Sequence, residues 1–278
     1  MADMRTEIIA EIGSTHDGSV WQACRMVELW AALGTDAVKL QDHRGQVVSG
    51  PHPSMGVREP RAEYYARTAL SQDEWLQVRA ACTEHGVSLV VSPFSVEAVR
   101  MLDRVPVDAY KIASGEVGNV ALLDAVRETG RPVYLSSGMS TSSEVASAAA
   151  LLGPSLYCAM QCTSEYPCAA EHVGLSELAW LRLLCPVVGL SDHTMGCAAS
   201  TGAVALGARV IERHVTPGRA MYGSDASHSL EPMEFAGLVQ QIRSLEAMLE
   251  PYDRDAVVGS EAMQEMRRVF CGDGGESG

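Results

Sequence analysis

The sequence predicts a single (β/α)8 TIM barrel, and three observations carry that prediction. Eight short apolar runs occur along the chain, each is followed by a segment of helical periodicity, and no G-x-G-x-x-G turn marks the competing doubly wound sheet. A length of 278 residues, with 47% apolar and 20% charged, suits one globular domain with a sizeable core.

The elements follow in order. "TEIIAEIG" is the first strand, and helical periodicity runs over 19–33. Gly34 separates that helix from "DAVKLQ", the second strand. Residues 42–70 then form a long connection, which in a barrel is usually an active-site loop, before a helix over 72–85. "VSLVVSPF" follows Gly86 and leads to a helix over 95–103. "DAYKIASG" leads to 119–129, and "PVYLSSG", which begins on Pro132, leads to 142–152. "SLYCAMQC" follows Gly153 and Pro154 and precedes a helix over 174–184. "PVVGLSD" begins on Pro186 and precedes 196–206. "ARVIERHV" follows Gly207, and a last helix covers 232–249. The barrel domain is drawn over 1–268, and 269–278, Gly-rich and acidic, is expected to be a disordered tail.

Composition narrows the function. The net charge is −14, the pI is near 5.0, and no Lys/Arg block appears, which argues against nucleic acid as a partner. An anionic small substrate stays open, because a few local cations can hold it. The N-terminus lacks a basic start followed by an apolar run, and no apolar segment approaches the ~18 residues of a membrane span. A cytoplasmic protein without membrane contact is expected. Its eight cysteines (Cys24, Cys82, Cys158, Cys162, Cys168, Cys185, Cys197 and Cys271) form no C-x-x-C pair and are expected to be reduced thiols, mostly small core residues. Zinc at Cys158, Cys162 and Cys168 would need a spacing that matches no common site.

Chemistry in this fold gathers at the C-terminal ends of the strands. Those ends carry Glu11, Lys39, Gln41, Ser92, Lys111, Ser114, Glu116, Ser136, Ser137, Gln161, Ser191, Asp192, His193, Glu212 and His214. So many polar groups near one buried mouth are costly unless something pairs with them. Lys39 and Gln41 share a strand face, as do Glu212 and His214. A structural ion pair would also account for Lys39 and Lys111. Together with Ser92, Ser114 and Ser136, however, they supply the ammonium groups and hydroxyls that a phosphorylated, carboxylated anion needs. His193 and His214 end consecutive strands, and with Glu212 and Asp192 nearby they suit a divalent first-row metal. His16, His43 and His228 are expected on surface loops. Asp192 is open between orienting His193 and capping the next helix.

Nine blocks add a resemblance: "IIAEIGSTHDG", "GTDAVKLQ", "VVSPFS", "VDAYKIASGE", "PVYLSSGM", "CTSEYP", "VGLSDHT", "GAVALGARVIERHVT" and "SDASHSLEPMEF". In that order, over about residues 7 to 235, the chain resembles the N-acetylneuraminate (sialic acid) synthase family, which includes pseudaminic, legionaminic and spore-coat polysaccharide synthases. The resemblance implies a barrel that condenses phosphoenolpyruvate (PEP) with an aldehyde sugar and water, giving a 3-deoxy-2-keto acid and phosphate. It implies that Lys39, Gln41, Ser92, Lys111, Ser114, Ser136, Ser164 and Ser191 hold PEP. It implies that His193 and His214 bind the metal, usually Mn²⁺, with Mg²⁺ or Co²⁺ as alternatives. Glu11, Glu116, Glu212 and Asp225 match acidic positions for catalysis, and Tyr166 matches one near the metal and sugar. The implied chemistry is attack of the PEP methylene on a metal-polarised carbonyl, then water addition and C–O cleavage, with Glu212 positioned to handle that water.

The departures fall on the acceptor side. "THDG" replaces the usual "NHNG", so Thr15 and Asp17 stand for two amides, and "QCTSEYP" puts Gln161 for a histidine and Ser164 for an asparagine. The family's C-terminal antifreeze-like domain, which contacts the substrate's acyl-amino group and supplies part of the interface of the expected homodimer, has no counterpart before the chain ends. N-acetylmannosamine is therefore not assumed as acceptor, and a different aldehyde in surface-glycan or specialised-metabolite biosynthesis is expected. A pyruvate-type metal-dependent aldolase and a non-catalytic PEP-binding paralogue are the rival readings. The first would not need two lysines and three hydroxyls for a phosphate; the second would not need both histidines and Glu212.

Overall fold

The computed structural model describes residues 5–51 and 57–271. Eight parallel strands close in sequence order: β1 (Glu7–Gly13), β2 (Ala37–Asp42), β3 (Ser88–Pro93), β4 (Ala109–Ile112), β5 (Val133–Ser136), β6 (Leu156–Cys162), β7 (Val188–Asp192) and β8 (Val210–His214). The predicted TIM barrel is therefore the fold. The helices are α1 (Val20–Ala32), α2 (Arg61–Thr68), α3 (Gln72–Glu84), α4 (Val96–Leu102), α5 (Val120–Glu128), α6 (Ser142–Leu152), α7 (Glu177–Leu181), α8 (Ala198–Ala205) and α9 (Pro232–Leu249). Residues up to Glu246 form one compact unit, and those from Ala247 a second, which includes α10 (Arg254–Gly259) and α11 (Glu261–Cys271). No helix among the described residues is long and apolar enough to cross a membrane.

Local chemistry explains where the helices start. Ser19, Ser71, Ser95, Asn119 and Thr141 each accept a hydrogen bond from a first-turn backbone N–H, and Ser71–Glu74 and Thr141–Glu144 are full capping boxes. Three expectations need correction. The long connection contains α2, in which only Tyr64 and Thr68 are buried, too thin an apolar stripe to register as a helix. The helix expected over 174–184 is only Glu177–Leu181, because Gly174 stands in left-handed backbone (φ 67°) and Ser176 gives no capping bond. The tail expected from 269 does not begin there: Val269 to Cys271 close α11, and 272–278 lie outside the described residues.

Strand alternation sorts the side chains into two populations. Outward residues such as Ile8, Ala10, Val38, Leu40, Leu89, Val91, Leu190 and Ile211 pack against the helices. Inward residues fill the lower barrel: Ile9, Ala37, Val90, Ala109, Tyr134, Cys158, Met160 and Val210. One period further along the strands, apolar gives way to polar: Glu11 follows Ile9, Lys39 follows Ala37, Ser92 follows Val90 and Glu212 follows Val210. The barrel is thus plugged below and polar above.

Gly189 belongs to the plug. A Cβ there would lie 2.6 Å from the Val210 carbonyl oxygen and 2.9 Å from Val210 Cβ. Gly189→Ala should therefore lower unfolding free energy by about 1–3 kcal/mol, as overpacking against backbone does. Denaturant titration reads this directly, and an unchanged midpoint would refute it.

Candidate active site

The polar layer converges on one cleft, lined by Glu11, Lys39, Gln41, Ser92, Lys111, Ala113, Ser114, Ser136, Cys162, Tyr166, Ser191, His193, Glu212 and His214. Register explains the convergence. Glu11 is paired with Lys39 and with His214, Gln41 with Ser92, and Ser191 with Glu212, so each side chain meets its neighbour across a ladder. A larger cavity, about 400 Å³, opens at the opposite end of the barrel between Glu7, Asp36, Asp108 and Tyr134, and none of the predicted site residues lines it.

Two lysine–glutamate pairs form the floor. Lys39 Nζ lies 2.9 Å from Glu11 Oε1 and 3.8 Å from Glu212 Oε2, and donates to Ser92 Oγ at 3.2 Å. Lys111 Nζ donates to both Glu212 oxygens at 2.9 Å, and Ser191 Oγ donates to Glu212 Oε1 at 2.8 Å. All four charged groups are at most 4% exposed. Burial opposes ionisation of Glu212, but Lys111 and Lys39 outweigh it and hold that carboxyl well below the usual range. Glu11 goes the other way: burial pushes it up to about 7 against the pull of Lys39. Two carboxylates in one site are thus driven apart, one fixed as an anion and one able to take a proton near neutrality.

The imidazoles stand above this floor. The His193 and His214 ring centroids are 5.4 Å apart, and the Tyr166 ring lies 4.2 Å from the first and 6.0 Å from the second. His193 Nδ1 faces the Thr163 carbonyl oxygen at 2.7 Å, while His214 Nδ1 is buried without a hydrogen-bond partner. Burial pushes His214 down to about 3, so it is a neutral imidazole with one lone pair to offer. Asp225 accepts from Ser224 Oγ at 2.7 Å. Burial opposes its ionisation, but His214 and His228 hold it well below the usual range. Among the described residues no three His, Cys, Asp or Glu side chains converge on one point, and this applies equally to Cys158, Cys162 and Cys168.

Other predicted residues are placed differently. Ser164 and Ser114 flank Gly138 beside the cleft, and the Ser164 hydroxyl is buried without a partner. Glu116 accepts from Asn119 Nδ2 at 2.7 Å and Gln46 Nε2 at 3.3 Å and is not among the residues that line the cleft. Three acceptor-side residues are engaged elsewhere. Thr15 is buried and donates to the Ile12 carbonyl at 2.6 Å, Asp17 is bound by Arg67 at 2.8 Å, and Gln161 accepts from Ser137 and donates to the Val173 carbonyl, each at 3.0 Å. His16 and His43 are buried, and the side chain of His228 is 14% exposed beside Asp225, so none is the surface loop residue expected. Asp192 points out of the barrel to Arg213 at 2.7 Å.

Cys162 is the lining residue that sequence reasoning missed. Its Sγ lies 3.4 Å from Ser114 Oγ and 3.9 Å from His193 Nδ1. It sits two positions beyond the inward Met160, so period-two counting along β6 could have found it.

Similarity points the same way as the geometry. Residues 26–253 match the NeuB family model. The chain is 34% identical to human N-acetylneuraminate-9-phosphate synthase over 254 residues, 87% of this chain and 70% of that one. It is 30% identical to the N,N'-diacetyllegionaminic acid synthase of Campylobacter jejuni over 262 residues, 87% of this chain and 77% of that one. The crystal structure of the N-acetylneuraminic acid synthetase from Leptospira borgpetersenii superposes with a TM-score of 0.79 at 26% identity, over 97% of this chain and 93% of that one.

Proposed function

The chain belongs to the NeuB family, and from that premise we propose that it condenses PEP with an aldehyde sugar and water to give a 3-deoxy-2-keto acid and phosphate. One observation carries the reading: two buried ammonium groups, Lys39 and Lys111, share a cleft with the hydroxyls of Ser92, Ser114, Ser136 and Ser191. Ammonium groups and hydroxyls are what a carboxylate and a phosphate on one small molecule require. A pyruvate-type aldolase would leave half of that set without a role.

Charge balance supports a divalent cation. Lys39 and Lys111 already face Glu11 and Glu212, and Asp225 lies close by, so a phosphate and a carboxylate would enter a site with no spare positive charge. His214, a neutral imidazole with an unpartnered buried nitrogen, and His193 beside it fit such an ion, with water and substrate completing its sphere. When bound, Mn²⁺ or a similar ion supplies Lewis-acid polarisation of the acceptor carbonyl.

The chain's own groups do the rest. Lys39 and Lys111 hold the anion with its methylene toward the mouth, where Tyr166 and the two imidazoles bound the acceptor. Glu11, which titrates near neutrality, takes a proton as negative charge arrives, and this frees Lys39 for the substrate. Glu212, fixed as an anion between Lys111 and Ser191, orients the water that adds to the former enol carbon. Mutation of the acceptor wall would alter which aldehyde is used; mutation of the floor would alter PEP.

The test is phosphate release from PEP with a panel of aldehydes and Mn²⁺, with products identified by mass and pyruvate as the control donor. His193→Ala and His214→Ala should each lose bound metal and lower turnover by about a hundredfold or more. Metal content and turnover that survive both changes would remove the imidazoles from the metal site.

A further inference from the structure

His43 lies outside the cleft yet is tied to both of its flanks. It follows β2, is 8% exposed, and is clamped between two rings. Tyr65 of α2 stacks on one face at 3.7 Å with an interplanar angle of 2°, and Phe94, just past β3, stacks on the other at 4.0 Å and 21°. The clamp leaves the imidazole only its in-plane directions. Along one, Nε2 meets Gln41 Oε1 at 3.0 Å; along the other, Nδ1 meets Gln46 Oε1 at 2.8 Å.

Each of those amides has its nitrogen end committed to a carboxylate. Gln41 Nε2 donates to Glu11 Oε1 at 2.7 Å, and Gln46 Nε2 donates to Glu116 Oε1 at 3.3 Å. Glu11 Oε1 also faces the Lys39 ammonium at 2.9 Å, so that oxygen accepts even when the other one carries a proton, and the Glu116 oxygen accepts as well. Each glutamine therefore turns its NH₂ to the glutamate and its carbonyl to the histidine. A neutral imidazole has one N–H and one lone pair. It can satisfy one of these carbonyls and would set its lone pair against the other. Only the imidazolium, a donor at both nitrogens, satisfies both, and its positive charge is favoured between two aromatic faces. Gln41 and Gln46 meet it in the plane, and Tyr65 and Phe94 cover its faces. Glu11 and Glu116 lie one amide away, and the adjacent Arg44 is turned to Asp42 at 2.9 Å.

We propose that His43 is a positioning residue, held as an imidazolium, that fixes the amides of Gln41 and Gln46 and through them sets Glu11 on the floor and Glu116 at the flank of the site. The inference rests on the condensation reading, in which Glu11 is part of the floor that meets the substrate anion. It makes the long connection after β2 part of the catalytic frame.

His43→Phe separates this role from simple packing, because phenylalanine keeps the three-ring stack and removes both nitrogens. The variant should keep its melting temperature and its KM for PEP within about threefold, while kcat falls by about tenfold to a hundredfold, the scale of displacing a catalytic group by a fraction of an ångström. Gln46→Ala added to it should cost far less than the two changes summed, since both break one chain of contacts. His43→Ala opens a slot between the rings, and free imidazole should restore part of kcat. In the wild-type chain, nitrogen NMR of the labelled ring near pH 7 should show both nitrogens protonated. Wild-type kcat in His43→Phe, or a singly protonated ring, overturns the proposal. If no aldehyde supports phosphate release in the wild type, the condensation reading falls, and the ring spectrum then decides on His43 by itself.

Discussion

Lys111→Met is expected to abolish PEP-dependent phosphate release and to lower unfolding free energy by about 3–5 kcal/mol, the cost of leaving a buried charge without its partner. Lys111 Nζ bonds both oxygens of Glu212 at 2.9 Å, and both residues are at most 3% exposed. Methionine matches the lysine stem but leaves the Glu212 carboxylate with Ser191 and a more distant Lys39. The pair therefore divides into two measurable parts. Adding Glu212→Gln to Lys111→Met removes the stranded charge and should recover most of the lost stability, because Lys39 keeps Glu11 as its counter-ion. Turnover should stay absent, since the ammonium that meets the substrate anion is gone. Denaturant titration and a phosphate assay on the two variants read stability and activity separately. If the double variant regained activity together with stability, Lys111 would be a structural residue and the anion would have to be held elsewhere.

That division between structure and chemistry also explains what could be read from sequence. The strand-borne site was legible because a strand has a period of two: once Lys39 and Gln41 share a face, barrel closure brings them to Glu11, Ser92 and Glu212 without further information. The loop-borne part was not. Thr15 and Asp17 occupy positions that match acceptor residues, but a loop position does not say where its side chain points; Gln161 lies on β6, out of phase with the inward Met160 and Cys162. Asp17 has left-handed backbone (φ 52°) and turns to Arg67, which lies fifty positions later and also binds Glu59 and stacks over Tyr64. No local pattern encodes such a pairing. The sandwich around His43 was hidden for the same reason, since its two rings come from α2, which lacked a readable apolar stripe, and from the end of β3. Arg213 was missed because a cation on the outward face of an apolar strand makes sense only beside Asp192, 21 positions away in the chain.

Ser191, Asp192 and His193 put the alternation itself to the test, because adjacent residues should fail in opposite ways. Ser191 faces in, where its hydroxyl meets Glu212; Asp192 faces out, where its carboxylate accepts from Thr194 N at 2.8 Å, Ser200 Oγ of α8 at 2.5 Å and Arg213 at 2.7 Å. Arg213 is 1% exposed and also donates to the Thr194 and Gly196 carbonyls at 2.6 Å, so the pair pins the backbone that carries His193. Asp192→Ala strands a buried guanidinium and should cost about 3–5 kcal/mol of stability. Ser191→Ala removes one hydroxyl from the cleft and should cost about 1 kcal/mol of stability. It should also raise the KM for PEP about tenfold, which is the ~1.4 kcal/mol of one hydrogen bond to an anion. Thermal unfolding and steady-state kinetics on the two variants give the comparison. A reversed ranking, with Ser191 governing stability and Asp192 the affinity for PEP, would mean that β7 presents the opposite face to the barrel, and the assignment of His193 to the metal would fall with it.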